Sequence, residues 1–180
     1  MVTGIICEYN PLHLGHKKQL DILKAQDTGV VCLMSGNFVQ RGHPAIIDKM
    51  ARAKAAIEAG ADLVLELPVT YALSSAEGFA AGGVDILGKF CDSLSFGAET
   101  ADKEAFTKTA KALLSPAFSK SLRLELDKGL SFPAARQNAL LAMGIDAALL
   151  GSPNNILGTE YCKAILKGGY GMDIQPKPEQ

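Results

Sequence analysis

Residues 2–16 read Val2-Thr3-Gly4-Ile5-Ile6-Cys7-Glu8-Tyr9-Asn10-Pro11-Leu12-His13-Leu14-Gly15-His16. Val2 to Cys7 is short, apolar and rich in β-branched residues, the pattern of a buried strand. Asn10-Pro11 signals a turn, and the amphipathic stretch from Leu14 to about Ala25 signals a helix. His13 and His16, with Gly15 between them, therefore fall where a strand hands over to a helix. Unpaired amides and the positive end of the helix dipole favour an anion at such a junction. Two imidazoles add hydrogen-bond donors, and Gly15 has no side chain to hold a ligand away. Two of the chain's three histidines lie in this one short pattern, which therefore reads as a phosphate-handling site and predicts nucleotide binding.

Working outward, strand-like and helix-like segments alternate through residues 1–100. Gly29 to Leu33 is a second strand. Asp48 caps a helix from Lys49 to Ala59 that Gly60 ends. Asp62 to Leu65 is a third strand, Ser75 to about Phe90 a glycine-weakened helix, and Ser93 to Phe96 a fourth strand. Such alternation predicts an α/β fold, a parallel sheet covered by helices. From Ala101 to about Leu150 the pattern is helical throughout, broken at Ser115-Pro116 and Gly129, with a restart at Ser131 and Pro133. This stretch is expected to be a helical insert or cap packed on the sheet. Asn155 to Lys167 is a last helix, stopped by Gly168-Gly169, and Met172 to Gln175 a closing strand. The tail Pro176-Lys177-Pro178-Glu179-Gln180 is expected to fray.

The 180 residues fit one domain of typical size, able to bury a core without staples. Apolar residues make up 48% and charged residues 21%, as in ordinary soluble proteins. The net charge of −1 gives no electrostatic case for nucleic acid. Only local clusters such as Lys49, Arg52 and Lys54 could meet phosphates, and these read first as a solvated helix face. Cysteines 7, 32, 91 and 162 show no metal-binding spacing and read as reduced core residues. Met1-Val2-Thr3-Gly4 lacks a basic leader and no stretch is long enough to span a bilayer, so a cytoplasmic protein with no membrane partner is expected.

Ligands of open α/β sheets bind outside the carboxyl ends of the strands, and the unusual residues of this chain gather there. Strand one leads into Glu8-Tyr9-Asn10-Pro11, and strand two into Met34-Ser35-Gly36-Asn37-Phe38-Val39-Gln40-Arg41-Gly42. Strand three leads into Glu66-Leu67-Pro68, and strand four into Gly97-Ala98-Glu99. Arg41 suits a carboxylate or phosphate as well as it suits solvent. Glu66 could orient a ribose or a metal, or only cap a strand. Gly97, placed just after a strand, permits close approach of a ligand to the backbone.

These stretches, together with Asp62-Leu63-Val64-x-Glu66-Leu67-Pro68, Phe96-Gly97 and Pro153-Asn154-Asn155-Ile156-Leu157-Gly158, resemble the tRNA(Met) cytidine acetate ligases. That family lies within the wider nucleotidyltransferase superfamily that shares the H-x-G-H motif. The resemblance covers nearly the whole chain and implies a Rossmann-like, adenylyltransferase-type nucleotide-binding domain. It implies that ATP, accompanied by Mg²⁺, activates acetate as acetyl-adenylate. The acetyl group then passes to the wobble cytidine of elongator tRNA(Met). By position, the ATP site would comprise Ile6, Cys7, Glu8, Tyr9, Asn10, Pro11, Leu12, His13, Leu14, Gly15, His16, Lys17, Lys18 and Gln19. Gly97 and one of Asn154 and Asn155 would complete it, and no metal would be held by the protein itself.

Adenylate formation needs no enzyme nucleophile, since a carboxylate attacks the α-phosphate in line and the protein supplies positioning and charge stabilisation. His13 and His16 would be the catalytic donors to phosphate oxygens, and Asn10 would fix the turn. The family's members are longer than this chain, and their second nucleotide motif and an ATP-contacting arginine have no counterpart here. His43 stands where the family usually has glutamate. The expectation is therefore ATP binding with weak or absent ligation to tRNA. Two other readings stay open at this point: a nucleotide-binding module without turnover, and a different small-molecule adenylyltransferase.

Overall fold

The computed structural model describes residues 1–178. Five strands form one parallel sheet: β1 (Val2–Cys7), β2 (Gly29–Ser35), β3 (Leu63–Leu67), β4 (Ser93–Ala98) and β5 (Asp173–Pro178). Their spatial order is β3-β2-β1-β4-β5, so the chain reverses direction across the sheet between β1 and β4. This is a Rossmann-like α/β arrangement, and its switch point lies beside the carboxyl end of β1.

Helices α1 (Leu14–Lys24) and α2 (Lys49–Glu58) cover one face. There Ile5, Cys7, Val30, Cys32 and Met34 pack against Leu20, Leu23 and Ala56. Helices α3 (Val69–Ala72), α4 (Ala76–Leu87) and α8 (Pro153–Gly168) serve the other face, where Ile6, Val31, Leu33, Leu94 and Phe96 meet Phe79, Val84 and Tyr161. One of the glycines that weaken α4 as an isolated helix, Gly83, lets it settle onto β1. A Cβ on Gly83 would overlap the Ile6 side chain. Tertiary packing thus overrides the low helix propensity of that segment.

The stretch 101–150 folds as α5 (Lys103–Leu113), α6 (Pro116–Asp127), α7 (Phe132–Ala142) and a 3₁₀ turn at Ala147–Gly151. Ser115 caps α6 through the Phe118 amide with Pro116 following it, and Gly129 takes φ +84° between α6 and α7. Phe118, Ala139, Leu140 and Ile145 give these helices a small core of their own.

Three expectations need correction. Strand β4 runs on to Ala98, so Gly97 lies inside it, in register with Lys177, rather than just after it. Strand β5 continues through Pro176, Lys177 and Pro178, where fraying was expected, because it pairs along β4 as an edge strand that tolerates proline. Glu179 and Gln180 lie outside the described residues. Arg52 is not solvated: it is 1% exposed, its guanidinium bonded to main-chain carbonyls inside the fold.

Candidate nucleotide site

The turn after β1 delivers His13 as the N-cap of α1. His13 Nδ1 accepts the Gly15 amide at 3.1 Å, and His16 Nδ1 accepts the His13 amide at 3.3 Å. The two imidazoles thus form a reciprocal capping box, a role more often filled by Ser or Thr with Glu. Their rings stack with centroids 3.6 Å apart and an interplanar angle of 23°.

The chemistry follows from this bonding. A ring nitrogen that accepts a hydrogen bond carries no proton, so this bonding leaves Nε2 as the donor side of each ring. Both Nε2–H groups are therefore available as donors. Burial, and then the neighbouring His13, lower the His16 pKa to about 4, keeping it neutral near pH 7. No acidic residue sits in the first turn of α1, so the positive end of its dipole is not neutralised from within.

Gly15 leaves room for a neighbour within its own helix start. A Cβ there would lie 3.1 Å from His13 Cε1 and 3.2 Å from His13 Nδ1. The missing side chain makes room for the capping ring itself.

Tyr9 backs the pair. Its ring lies 4.9 Å from that of His16, and its hydroxyl contacts Cys32 Sγ at 3.5 Å inside the core. It holds a positive φ of 45°, rare for a bulky residue. Burial pushes its phenol well above the usual range, so it stays protonated.

The motifs after β1 and β2 are tied to each other. Glu8 Oε1 accepts the Gln40 amide at 2.6 Å, and Asn10 Oδ1 accepts the Ile46 amide at 2.8 Å. Asn10 therefore also holds the distant 37–47 loop. Beneath both loops lies Arg52 of α2. Its Nη1 donates to the carbonyls of Glu8 (2.6 Å) and Ser35 (3.1 Å), Nη2 to that of Gly36, and Nε to that of Ile47 (3.0 Å).

Glu66 pairs with Lys49 at 2.7 Å, so two of the three residues read as a solvated basic face are engaged within the fold. A Cβ at Gly36 would overlap the tip of the Glu66 carboxylate.

On the neighbouring strand, Glu99 joins the end of β4 to the start of α8. Its carboxylate accepts from Ser152 Oγ at 2.7 Å, the Asn155 amide at 3.1 Å and Asn154 Nδ2 at 3.4 Å. Burial acts against the charge, but these donors together hold the Glu99 carboxyl below its usual range. In return Asn155 Oδ1 accepts the Glu99 amide at 3.1 Å. That bond fixes the amide's orientation and leaves Nδ2 as its donor side.

The structure therefore brings Glu8, Tyr9, Asn10, His13 and His16 together at the end of β1. Asn154 and Asn155 join the adjacent rim, at the end of β4. The side chains of Ile6 and Cys7 serve the two cores. Gln19 reaches down from α1 to Ser95 Oγ at 2.9 Å, and Lys17 pairs with Asp21. Leu14 stands 87% exposed beside the histidines, while Lys18 and Pro11 are also exposed and Leu12 is half-buried.

Sequence reasoning placed Glu99 at the rim and Arg52 on a helix face, but missed what each of them holds. Arg52 lies four residues before Ala56, the other buried position of α2, so the spacing to the alanine face was its one available signal. Among the described residues no cluster of His, Cys, Asp or Glu could hold a metal ion, and no helix is long and apolar enough to cross a membrane.

Comparison with known proteins places this geometry in context. The model of a family described as HIGH Nucleotidyl Transferase matches residues 1–178. A tRNA(Met) cytidine acetate ligase of Clostridium novyi is 46% identical over 176 residues, covering 92% of this chain and 44% of that protein. One of Caldanaerobacter subterraneus is 49% identical over 175 residues, covering 91% and 43% respectively. The crystal structure of Thermotoga maritima TmcAL bound with alpha-thio ATP matches with a TM-score of 0.91 at 38% identity, over 99% of this chain and 47% of that one. The chain thus spans less than half the length of these relatives.

Proposed function

The chain belongs to the HIGH nucleotidyl transferase family, and on that premise we propose that it binds ATP with the triphosphate at the start of α1 and forms acetyl-adenylate. The observation that carries this reading is the reciprocal His13–His16 cap, which leaves two Nε2–H donors beside an unneutralised helix start. The ATP analogue in the Thermotoga maritima relative supports it.

In the proposed reaction an acetate oxygen attacks the α-phosphorus. One P–O bond forms, the bond to the bridging oxygen breaks, and diphosphate leaves. Charge builds on the phosphate oxygens as this happens. Preorganised donors that face the developing charge stabilise it without reorganising, which is where such sites gain most of their rate. The two stacked imidazoles meet that description because each is locked through its other nitrogen. Mg²⁺ would arrive coordinated to the triphosphate, as is usual for this cation.

The acetyl group would then pass to a cytidine of tRNA(Met) with release of AMP, as the names of the relatives suggest; the sequence resemblance implies the wobble cytidine of the elongator tRNA. Arg52 is unavailable for RNA contacts and Lys49 is paired, so tRNA phosphates would have to be met elsewhere.

ATP–diphosphate exchange measured with and without acetate tests the reading. Acetate-dependent exchange is expected. Binding of ATP without exchange would reduce the chain to a nucleotide-binding module, and absence of ATP binding at millimolar concentration would remove the site.

A further inference from the structure

The inference rests on the triphosphate reading above and concerns Arg52. This side chain is 1% exposed, and among the described residues its four hydrogen bonds all go to main-chain carbonyls, none to a carboxylate. Burying a guanidinium without a carboxylate partner is a costly way to fill a helix–sheet interface, where alanine or leucine would pack. Such a group is best explained by what its donors hold.

They hold the roots of the two loops at the site. Glu8 is the residue from which the chain leaves β1 toward Tyr9, Asn10 and His13. Ser35 ends β2, and Gly36 begins the loop that reaches Ile47. Three carbonyls from two parallel strands converge on one point, an arrangement their dipoles would resist without a cation between them. The far spans of the same loops are tied by Glu8 to Gln40 and by Asn10 to Ile46. Arg52 pins the roots and these bonds pin the spans.

We infer that Arg52 is a positioning residue for the triphosphate: its fork joins the β1 and β2 loops into one rigid rim and thereby sets where His13 and His16 stand. It touches no ligand itself. An ammonium cannot replace it, because a single point donor on a flexible stem does not match four carbonyls at fork geometry.

The test compares the chain with Arg52→Lys and Arg52→Met by titration calorimetry with ATP and, separately, with adenosine at one ionic strength. Thermal unfolding of each variant is recorded alongside. In the unsubstituted chain ATP should bind more tightly than adenosine. In both variants the ATP-to-adenosine affinity ratio should fall by about tenfold or more, the scale on which small misplacements act, while adenosine affinity is retained.

An unchanged ratio in either folded variant overturns the inference, whether both affinities hold or both fall together. Should one variant lose its cooperative transition, the other decides. Loss of that transition in both also overturns the inference, since the residue then serves the fold alone. An unsubstituted chain with no preference for ATP over adenosine refutes the triphosphate reading itself and takes this inference with it.

Discussion

His13 and His16 cap the same helix start from opposite directions: each ring's Nδ1 accepts a main-chain amide, and the rings stack 3.6 Å apart. One nitrogen of each imidazole is committed to the backbone and the other is not. The cap and the proposed chemistry thus use different atoms of the same side chains, so they can be separated by substitution.

His13→Asn keeps an acceptor at the N-cap but lacks a donor at the Nε2 position. Asn is among the favoured N-cap residues, so stability should change by less than about 0.5 kcal/mol, whereas His13→Ala should cost about 1 kcal/mol. ATP–diphosphate exchange should fall by roughly 10²–10³ in both, as when one transition-state donor is lost. Urea denaturation and exchange rates measured on the two variants check this. Full exchange in His13→Asn would mean that the ring does no more than cap.

His16 predicts a pH dependence of stability. Its folded-state pKa is lowered from 6.5 to about 4, chiefly by burial and then by His13. Between those values the unfolded chain binds more protons than the folded one, so stability falls as pH falls through the window. Protonation would also place a hydrogen on Nδ1 and break the bond from the His13 amide. The ring is partly exposed, which discounts the full shift to about 1–2 kcal/mol lost between pH 7 and pH 4. Denaturation midpoints at pH 7, 5.5 and 4 should show this loss, and His16→Asn should show less of it. Equal losses in the two proteins would assign the effect to carboxylates.

The succession of strands and helices along the chain and the strand–turn–helix at residues 2–16 were legible because β-branched runs and cap signals are local properties of the chain. Arg52 was not legible, since α2 inverts the usual pattern. Its large apolar residues Met50 and Ile57 stand 70% and 46% exposed, while Arg52 and Ala56 face inward. Periodicity assigns the charged residue to solvent, and only the converging carbonyls of two distant strands reverse that assignment. Glu99 escaped for a similar reason: its partners lie more than fifty residues away on α8. Gly15 also leaves space for the His13 ring, a neighbour that no linear pattern displays.

Gly15→Ala follows from that last point. The added methyl must push the His13 ring by a few tenths of an ångström, because its nearest neighbours would be ring atoms at 3.1 and 3.2 Å. The stack with His16 would shift with it. Exchange should slow by about tenfold, since small displacements of positioned groups carry costs of that order. The loss should appear in the turnover rate more than in ATP affinity. A variant that loses affinity alone would show that Gly15 matters for ligand access.

Two glycines in the motif stretches should respond to alanine in opposite ways. In Gly36→Ala the new Cβ would overlap the tip of Glu66, a flexible and half-exposed side chain whose partner is Lys49. Glu66 can swing into solvent at the cost of one surface ion pair, about 0–1 kcal/mol. In Gly158→Ala the Cβ would lie 2.5 Å from Phe96 Cε2 and 2.8 Å from Phe106 Cε1. Those rings meet edge to face with centroids 5.4 Å apart, and both are buried between α8, α5 and β4. Neither can turn aside without opening a void or straining its neighbour, so the cost should be about 1–3 kcal/mol, as for other overpacked cores. Chemical denaturation of the two variants measures the contrast directly. A larger loss for Gly36→Ala would mean that Glu66 is held in place, and that its pair with Lys49 is a fixed strut of the rim.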